Sequence, residues 1–259
     1  YGKGNTITGY RADESITARM HPLSTAQTAL GASWAVVQPL LTMVIFTLIF
    51  GRLAKIPSDG VPYSVFTLTA LIPWMYFSNA FSTASASLVN SGNLITKVYF
   101  PRLIIPIVSV LSGLVNFAVS CVVLAIMMAW YHVTPSVHAI VMIPAVILLM
   151  VLTSIGVGSW LAAVYIEYRD VRHIVPFLVQ IWMYVSPVVY PLSLVPARYR
   201  LLYSLNPMAG IIQTFRVVLL RTGTIPWDTL GLSTFVGMLL FLSGTMYYRR
   251  TEHLFADVA

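Results

Sequence analysis

The stretch NLITKVYFPRLIIP, residues 93–106, is a short charged and aromatic interruption between long apolar runs. Wound as a helix, it places Leu94, Ile95, Val98 and Tyr99 on one side and Thr96, Lys97 and Phe100 on the other. Pro101 lacks a backbone donor and disfavours the helical conformation of Phe100, so the helix is expected to stop there. One face of this compact knob can rest on a membrane protein while the other meets a partner. An ordinary amphipathic loop between spans fits the same pattern.

Downstream, Leu103 to Ile166 runs for 64 residues without Lys, Arg, Asp or Glu. That length suits two spans and one tight turn, with the turn at Tyr131 to His138, around His132, Pro135 and His138. Upstream, Val61 to Asn90 is apolar but rich in hydroxyls and aromatics, and its Ser82, Thr83, Ser85 and Ser87 favour close helix contact. Before it, Gly31 to Gly51 is uncharged for 21 residues, just enough to cross an apolar core of about 30 Å. Pro39 is expected to bend this first span, and Trp34, Gln38 and Thr42 repeat along one side of it.

Glu167 to His173, EYRDVRH, is a second charged interruption. The 24 uncharged residues from Ile174 to Ala197 contain Pro176, Pro187, Pro191 and Pro196, so a fifth span is expected to end near Pro187 and give way to irregular or re-entrant chain. Met208 to Leu220 reads as a helix too short to cross, and Thr229 to Tyr248 as a final span closed by Arg249 and Arg250. Six spans leave both termini on one side. With that side cytoplasmic, nine Lys and Arg fall inside and six outside, a weak preference that leaves Arg198, Arg200, Arg216 and Arg221 outside and interfacial. There they can snorkel to lipid headgroups or contact an anionic linkage.

Composition agrees with a bilayer as solvent. The 259-residue chain is 58% hydrophobic and 9% charged, with mean hydropathy +0.83, where a soluble domain is about a quarter charged. The net charge of +7 is scattered between apolar runs and forms no basic stripe, so no nucleic acid partner is expected. The single cysteine, Cys121, excludes a disulfide within the chain. The first thirty residues show no pattern of a cleaved signal peptide.

Chemistry of its own is not expected. Asp59, Asp170 and Asp228 fall at predicted interfaces, the histidines are terminal or in turns, and neither HExxH nor a G-x-x-x-x-G-K-[ST] phosphate loop occurs. No catalytic or metal-binding residue is assigned. The chain is either passive or driven by a partner.

The runs LGASWAVVQPLLTMVIFTLIFGRLAKIPSDGVPY, NLITKVYFPRLIIPIVSVLSGLVNF, YRDVRHIVPFLVQIWMYVSPVVYPLSLVP and LNPMAGIIQTFR resemble the permease subunit of type-2 ABC exporters for O-antigen, capsule and related lipid-linked polysaccharides. The resemblance covers roughly residues 30 to 250. It implies an all-α integral membrane fold of six spans with a coupling helix, and re-entrant helices between the fifth and sixth spans. It also implies a homodimer in the bacterial inner membrane, with both termini cytoplasmic. A separate ATPase chain would bind ATP and Mg, and the polysaccharide path would lie at the dimer axis. On this division, residues 1–29 are a tail or interface helix, 30–250 the six-span domain and 251–259 a cytoplasmic tail. Residues 19–30, RMHPLSTAQTAL, depart from the family by lacking the basic residues of its interface helix and by containing Pro22.

By the resemblance, Asn93 to Phe100 is the coupling helix, and Thr96, Lys97, Phe100, Arg102, Arg169 and Asp170 are the candidates for coupling to the ATPase. Glu167, Arg169, Asp170 and Arg172 fit a solvated charge network capping the fourth span equally well. The candidates for the conduit wall are Trp34, Gln38 and Thr42 in the first span and Phe177, Gln180 and Tyr184 in the fifth. Rings and neutral amides can hold sugars weakly, though the same stripes fit helix-to-helix packing. Alternatives are an exporter of teichoic acid or of a small hydrophobic compound, a membrane-embedded lipid or glycan enzyme, and a passive channel.

Overall fold

The computed structural model describes residues 34–90, 101–168 and 170–252, and all regular structure within them is helical. Thr96, Lys97, Phe100 and Arg169, along with the atypical stretch 19–30, lie outside the described residues.

Helix α1, Trp34–Leu53, turns from α to π geometry over Thr47–Leu53. Pro39 stands inside continuous helix, so the departure from regular geometry comes a turn or more after it. Lys55, Asp59 and Gly60, all at positive φ, reverse the chain into α2, Tyr63–Asn90. Helix α3, Ile104–Trp130, and α4, Ala139–Glu167, are joined by the expected turn, where His132 takes a φ of 54°. Helix α5 is Val171–Val185, α6 is Ala197–Ser204, α7 is Pro207–Leu220 and α8 is Trp227–Thr251.

Four helices among the described residues are long and apolar enough to cross a membrane: α1, α3, the Ala139–Tyr165 part of α4, and α8. Helix α2 has the length but not that apolarity, because it is the centre of the bundle rather than a lipid-facing wall. It packs against α1, α3, α4, α5 and α7 and buries Phe66, Leu68, Leu71, Phe77 and Phe81. Most of its serine and threonine hydroxyls bond back to its own carbonyls, as Thr69 does to Val65 O at 2.6 Å and Ser82 to Ser78 O at 2.6 Å, whereas the buried Thr67 Oγ1 makes no such bond among the described residues. The back-bonded hydroxyls are satisfied without a partner helix. Ser85 and Ser87 are buried as their small size suggests, whereas Thr83 faces outward.

Helix α5 is shorter than a span. Fifteen residues rise about 22 Å, against about 30 Å of apolar core. After Val185 the chain turns through Ser186, Pro187, Val188 and Val189, which are all buried, so its irregular backbone is enclosed by protein. Helix α7 is buried along its whole length.

Glycines set the closest helix approaches. A Cβ on Gly156 of α4 would lie 2.5 Å from Phe241 Cα, and one on Gly244 of α8 would overlap the Gly156 carbonyl. On the other side of α4, a Cβ on Gly158 would come 2.6 Å from Ala84 Cβ of α2. Backbone contact with α8 and close approach to the small Ala84 of α2 hold α4 between them, the small-residue packing used where lipid provides no hydrophobic drive between helices.

Candidate functional site

A cavity of about 670 Å³ lies between α1, α2, α3 and α5. Helix α1 contributes Trp34, Gln38 and Pro39, and α2 contributes Met75, Tyr76, Ser78, Asn79, Ser82 and Ser85. Helix α3 adds Gly113, Asn116, Phe117 and Ser120, while Tyr165 of α4 and Arg172, Val175 and Val179 of α5 complete the wall. Gly113 belongs there for steric reasons, since a Cβ on it would press the Tyr76 ring at 3.3 Å. Tyr76 is held by its hydroxyl, which donates to Val110 O at 3.1 Å, and by edge contact with Phe117 at 5.4 Å between centroids.

The polar groups divide into two kinds. The hydroxyls are already engaged: Ser82 donates to Ser78 O, Ser85 to Ser82 O, and Ser120 to Asn116 O and, across the helix pair, to Ala35 O at 3.1 Å. The carboxamides of Gln38, Asn79 and Asn116 are exposed to the cavity and make no hydrogen bond among the described residues. Arg172, in the first turn of α5, has its Nη2 3.5 Å from His173 Nε2, and no carboxylate pairs with it among the described residues. The lining can therefore accept a polar neutral molecule and offers it one cation.

Of the six conduit candidates, Trp34 and Gln38 line this cavity. Thr42 lies outside its lining and donates to Gln38 O at 2.9 Å. Phe177, Gln180 and Tyr184 also lie outside it, on the outer face of α5, with Phe177 and Tyr184 exposed by 62% and 55%. The cavity takes a neighbouring face of that helix, through Arg172, Val175, Pro176 and Val179. Sequence reasoning alone does not bring Asn79, Asn116 and Arg172 together. The available signal is two carboxamides inside otherwise apolar runs, where an unpaired amide is costly.

At one end of the bundle, Arg102 ties the start of α3 to the end of α8. Its guanidinium donates to Glu252 O at 2.9 Å, its backbone N–H donates to Glu252 Oε1 at 3.3 Å, and Tyr248 Oη donates to Arg102 O at 2.9 Å. A cation at the carbonyl end of α8 also suits the helix dipole. Nearby, Asp170 stands before the first residue of α5 but makes no side-chain cap there, and it is exposed. The adjoining Glu167 carboxylate raises the phenol of the exposed Tyr168 above its usual pKa. Glu167, Asp170 and Arg172 form no ion pairs with one another among the described residues.

At the other end, Arg216 corrects the expectation of four interfacial arginines. It is fully buried, its Cζ 3.8 Å from the Phe66 ring centroid. Its Nη2 donates to Pro187 O at 2.9 Å and to Val188 O at 3.2 Å. The guanidinium replaces water as the donor for the irregular segment's carbonyls, which explains why a cation is inside. The other three arginines lie at the surface: Arg221 donates to Pro135 O at 2.9 Å, Arg200 to Val195 O at 3.2 Å, and Arg198 stacks on Tyr199. Asn206 anchors the same region. Its Oδ1 accepts from Met208 N at 3.0 Å, capping α7, and from Trp182 Nε1 at 2.8 Å, and its Nδ2 donates to Ser186 Oγ at 2.9 Å. Tyr203 Oη donates to Tyr190 Oη at 2.9 Å, and burial, reinforced by this bond, keeps the Tyr203 phenol protonated well above its usual range.

Comparison with known proteins places this architecture. The chain is 25% identical over 229 residues, 88% of its length and 87% of the relative's, to an O-antigen export system permease protein of Klebsiella pneumoniae. It is 29% identical over 191 residues, 73% of its length and 72% of the relative's, to a protein of the same description from Myxococcus xanthus. It is 23% identical over 230 residues, 86% of its length and 87% of the relative's, to the polysialic acid transport protein KpsM of Escherichia coli. The family described as ABC-2 type transporter matches residues 14–220, most of the chain and all of the cavity lining. With its apolar helices packed around a cavity of mixed polar and apolar lining, the chain belongs to the ABC-2 type transporter family.

Proposed function

We propose that this chain is the transmembrane subunit of an ATP-driven exporter that carries a lipid-linked polysaccharide, of the O-antigen or capsule type, across the bacterial inner membrane. The observation that carries the reading is the cavity of amides, hydroxyls and rings set among helices apolar enough to span, in a chain whose relatives are named for O-antigen export and polysialic acid transport. The subunit works as a homodimer of six-span protomers, in which α2 also crosses, α5 crosses only together with the buried chain that follows it, and α6 and α7 form re-entrant elements. The outer face of α5, with Phe177, Gln180 and Tyr184, lines the path at the dimer axis together with Trp34, Gln38 and Thr42 of α1. Both termini lie in the cytoplasm.

ATP and Mg are bound by a separate ATPase chain. Thr96, Lys97 and Phe100 meet it, with Phe100 as the apolar anchor, while Arg102, Arg169 and Asp170 transmit its movement. The Arg102 contacts with Tyr248 and Glu252 support a rigid attachment of that end of the bundle, so closure of the ATPase would move α3 and α8 together. The test is purification of the chain from its native membrane. An ATPase carrying a phosphate loop is expected in equal number, with Lys97→Glu plus Phe100→Ala abolishing export from a permease that still folds. Wild-type export by the double variant, or a chain that purifies alone as a stable oligomer, refutes the reading.

A further inference from the structure

We infer that the cavity between α1, α2, α3 and α5 is a binding site within each protomer for a pyranose unit that carries one anionic group, held by Gln38, Asn79 and Asn116 and read for charge by Arg172. The inference rests on the exporter reading above and adds a recognition site to it. The site shares Trp34 and Gln38 with the proposed path but not Phe177, Gln180 and Tyr184, which are not part of its lining.

Three observations support the assignment. The first is the state of the amides. Carboxamides on the packed faces of apolar helices normally bond across the helix interface. Here three of them, from three different helices, face one cavity and bond to nothing among the described residues. The neighbouring serines are satisfied by their own helix, so they do not compete for the amides. An amide both donates and accepts, as a sugar hydroxyl does, and three around one space match the dispersed hydroxyls of a ring better than a single strong acceptor.

The second observation is the apolar part of the wall. Trp34, Tyr76 and Phe117 line the cavity beside those amides, and an aromatic wall suits the C–H face of a pyranose. At about 670 Å³, the cavity is within the roughly 300–1,000 Å³ usual for small-molecule sites. The third observation is Arg172, a guanidinium lining the cavity without a carboxylate partner among the described residues. Its planar donors fit a phosphate or a carboxylate. Either source is consistent with this chemistry: a phosphate at the sugar's anomeric linkage, or a carboxylate on the ring itself.

The experiment uses the full chain in lipid nanodiscs, titrated with four soluble probes: N-acetylglucosamine 1-phosphate, N-acetylneuraminic acid, a neutral methyl glycoside of N-acetylglucosamine, and inorganic phosphate. Saturation-transfer NMR and calorimetry give the affinities. At least one anionic pyranoside is expected to bind about tenfold more tightly than the neutral glycoside and than phosphate alone, as one charge-assisted contact added to the ring contacts implies. Tighter binding of the 1-phosphate points to the linkage, and tighter binding of the carboxylate points to an acidic repeat unit. Arg172→Gln, at an exposed position, should erase the preference for charge while leaving the neutral glycoside unchanged. Asn79→Leu with Asn116→Leu should weaken both sugar classes about tenfold at unchanged melting temperature. Absence of saturable binding, equal binding of phosphate alone, or affinities untouched by all three substitutions overturns the inference. So does loss of the dimer in the leucine variant, which would mean that a second copy fills the cavity. ATPase co-purification and export are scored separately, so the exporter reading can survive the failure of this site.

Discussion

Arg216 and Phe66, from α7 and α2, form a fully buried cation–ring pair, 3.8 Å from guanidinium carbon to ring centroid. The same guanidinium donates to two carbonyls of the turn that follows α5, so one side chain joins three parts of the fold. Its Nε has no partner among the described residues, which leaves the ring face and the carbonyls as its main compensation for burial. Arg216→Met keeps much of the volume but orphans those carbonyls, and is expected to cost about 1–3 kcal/mol. Arg216→Lys should also destabilise, because a compact ammonium on a shorter stem cannot stack flat on the Phe66 ring while reaching the carbonyls of Pro187 and Val188. Thermal unfolding of the detergent-solubilised protein reads the loss, and proteolysis should open first at residues 186–196. An unchanged melting temperature in both variants contradicts the clamp.

Gly156 and Gly244 make the second prediction. A side chain at either position meets the backbone of the facing helix, which cannot rotate away as a flexible side chain can. Gly156→Val and Gly244→Val should each destabilise by about 1–3 kcal/mol or more. At Gly231, also in α8, an added Cβ would meet nothing within 4 Å. Gly231→Ala should therefore be neutral or gain about 0.5–1 kcal/mol from helix propensity. Yield and thermal unfolding in the same detergent compare all three. Tolerance of valine at both crossing positions would show that α4 and α8 are not held in backbone contact.

These positions also show what was legible in the chain. The turn at Tyr131 to His138, the short helix before Gly223 and the final span could be read directly, because charge-free length, Pro and Gly act locally. The buried end of α5 was foreshadowed by its prolines. Arg216 was not legible as an interior residue, because its partners are backbone carbonyls near Pro187, far away in sequence, and carbonyls leave no compositional trace. The cavity was half legible: Trp34 and Gln38 belong to a visible stripe on one helix, but Asn79 and Asn116 meet them only through packing. The amphipathic pattern of α5 was real, yet it could not say which face turned inward.

Asn206 carries the third prediction. Its Oδ1 serves both the first turn of α7 and the indole of Trp182, and its Nδ2 holds Ser186. Asn206→Ala should lose a helix cap of about 1 kcal/mol and leave the part-buried indole N–H unpaired, for about 2–4 kcal/mol in all. Asn206→Asp keeps the acceptor for the cap and the indole but loses the donor to Ser186, so it should fall between Ala and wild type. Trp182→Phe removes the indole donor and keeps a ring beside Phe77. In the Trp182→Phe background, Asn206→Ala should cost less than it does alone, a coupling of about 0.5–3 kcal/mol measurable by a double-mutant cycle. Strict additivity would mean that the 2.8 Å contact contributes nothing.

Arg102 separates two roles that a knob-shaped interruption alone cannot distinguish, contact with a partner and attachment to the bundle. Its guanidinium reaches Glu252 O, and its own carbonyl accepts from Tyr248, so its described contacts bind α3 to the end of α8. Removing the phenolic donor in Tyr248→Phe should cost about 0.5–1.5 kcal/mol. Arg102→Gln should cost a similar amount, with the two losses less than additive because they loosen one junction. If attachment is the role of Arg102, the ATPase should still co-purify with Arg102→Gln, while export falls as the junction slackens. Release of the ATPase by Arg102→Gln, with melting unchanged, would instead make Arg102 a direct contact, and the coupling between α3 and α8 would have to be carried by Tyr248 without it.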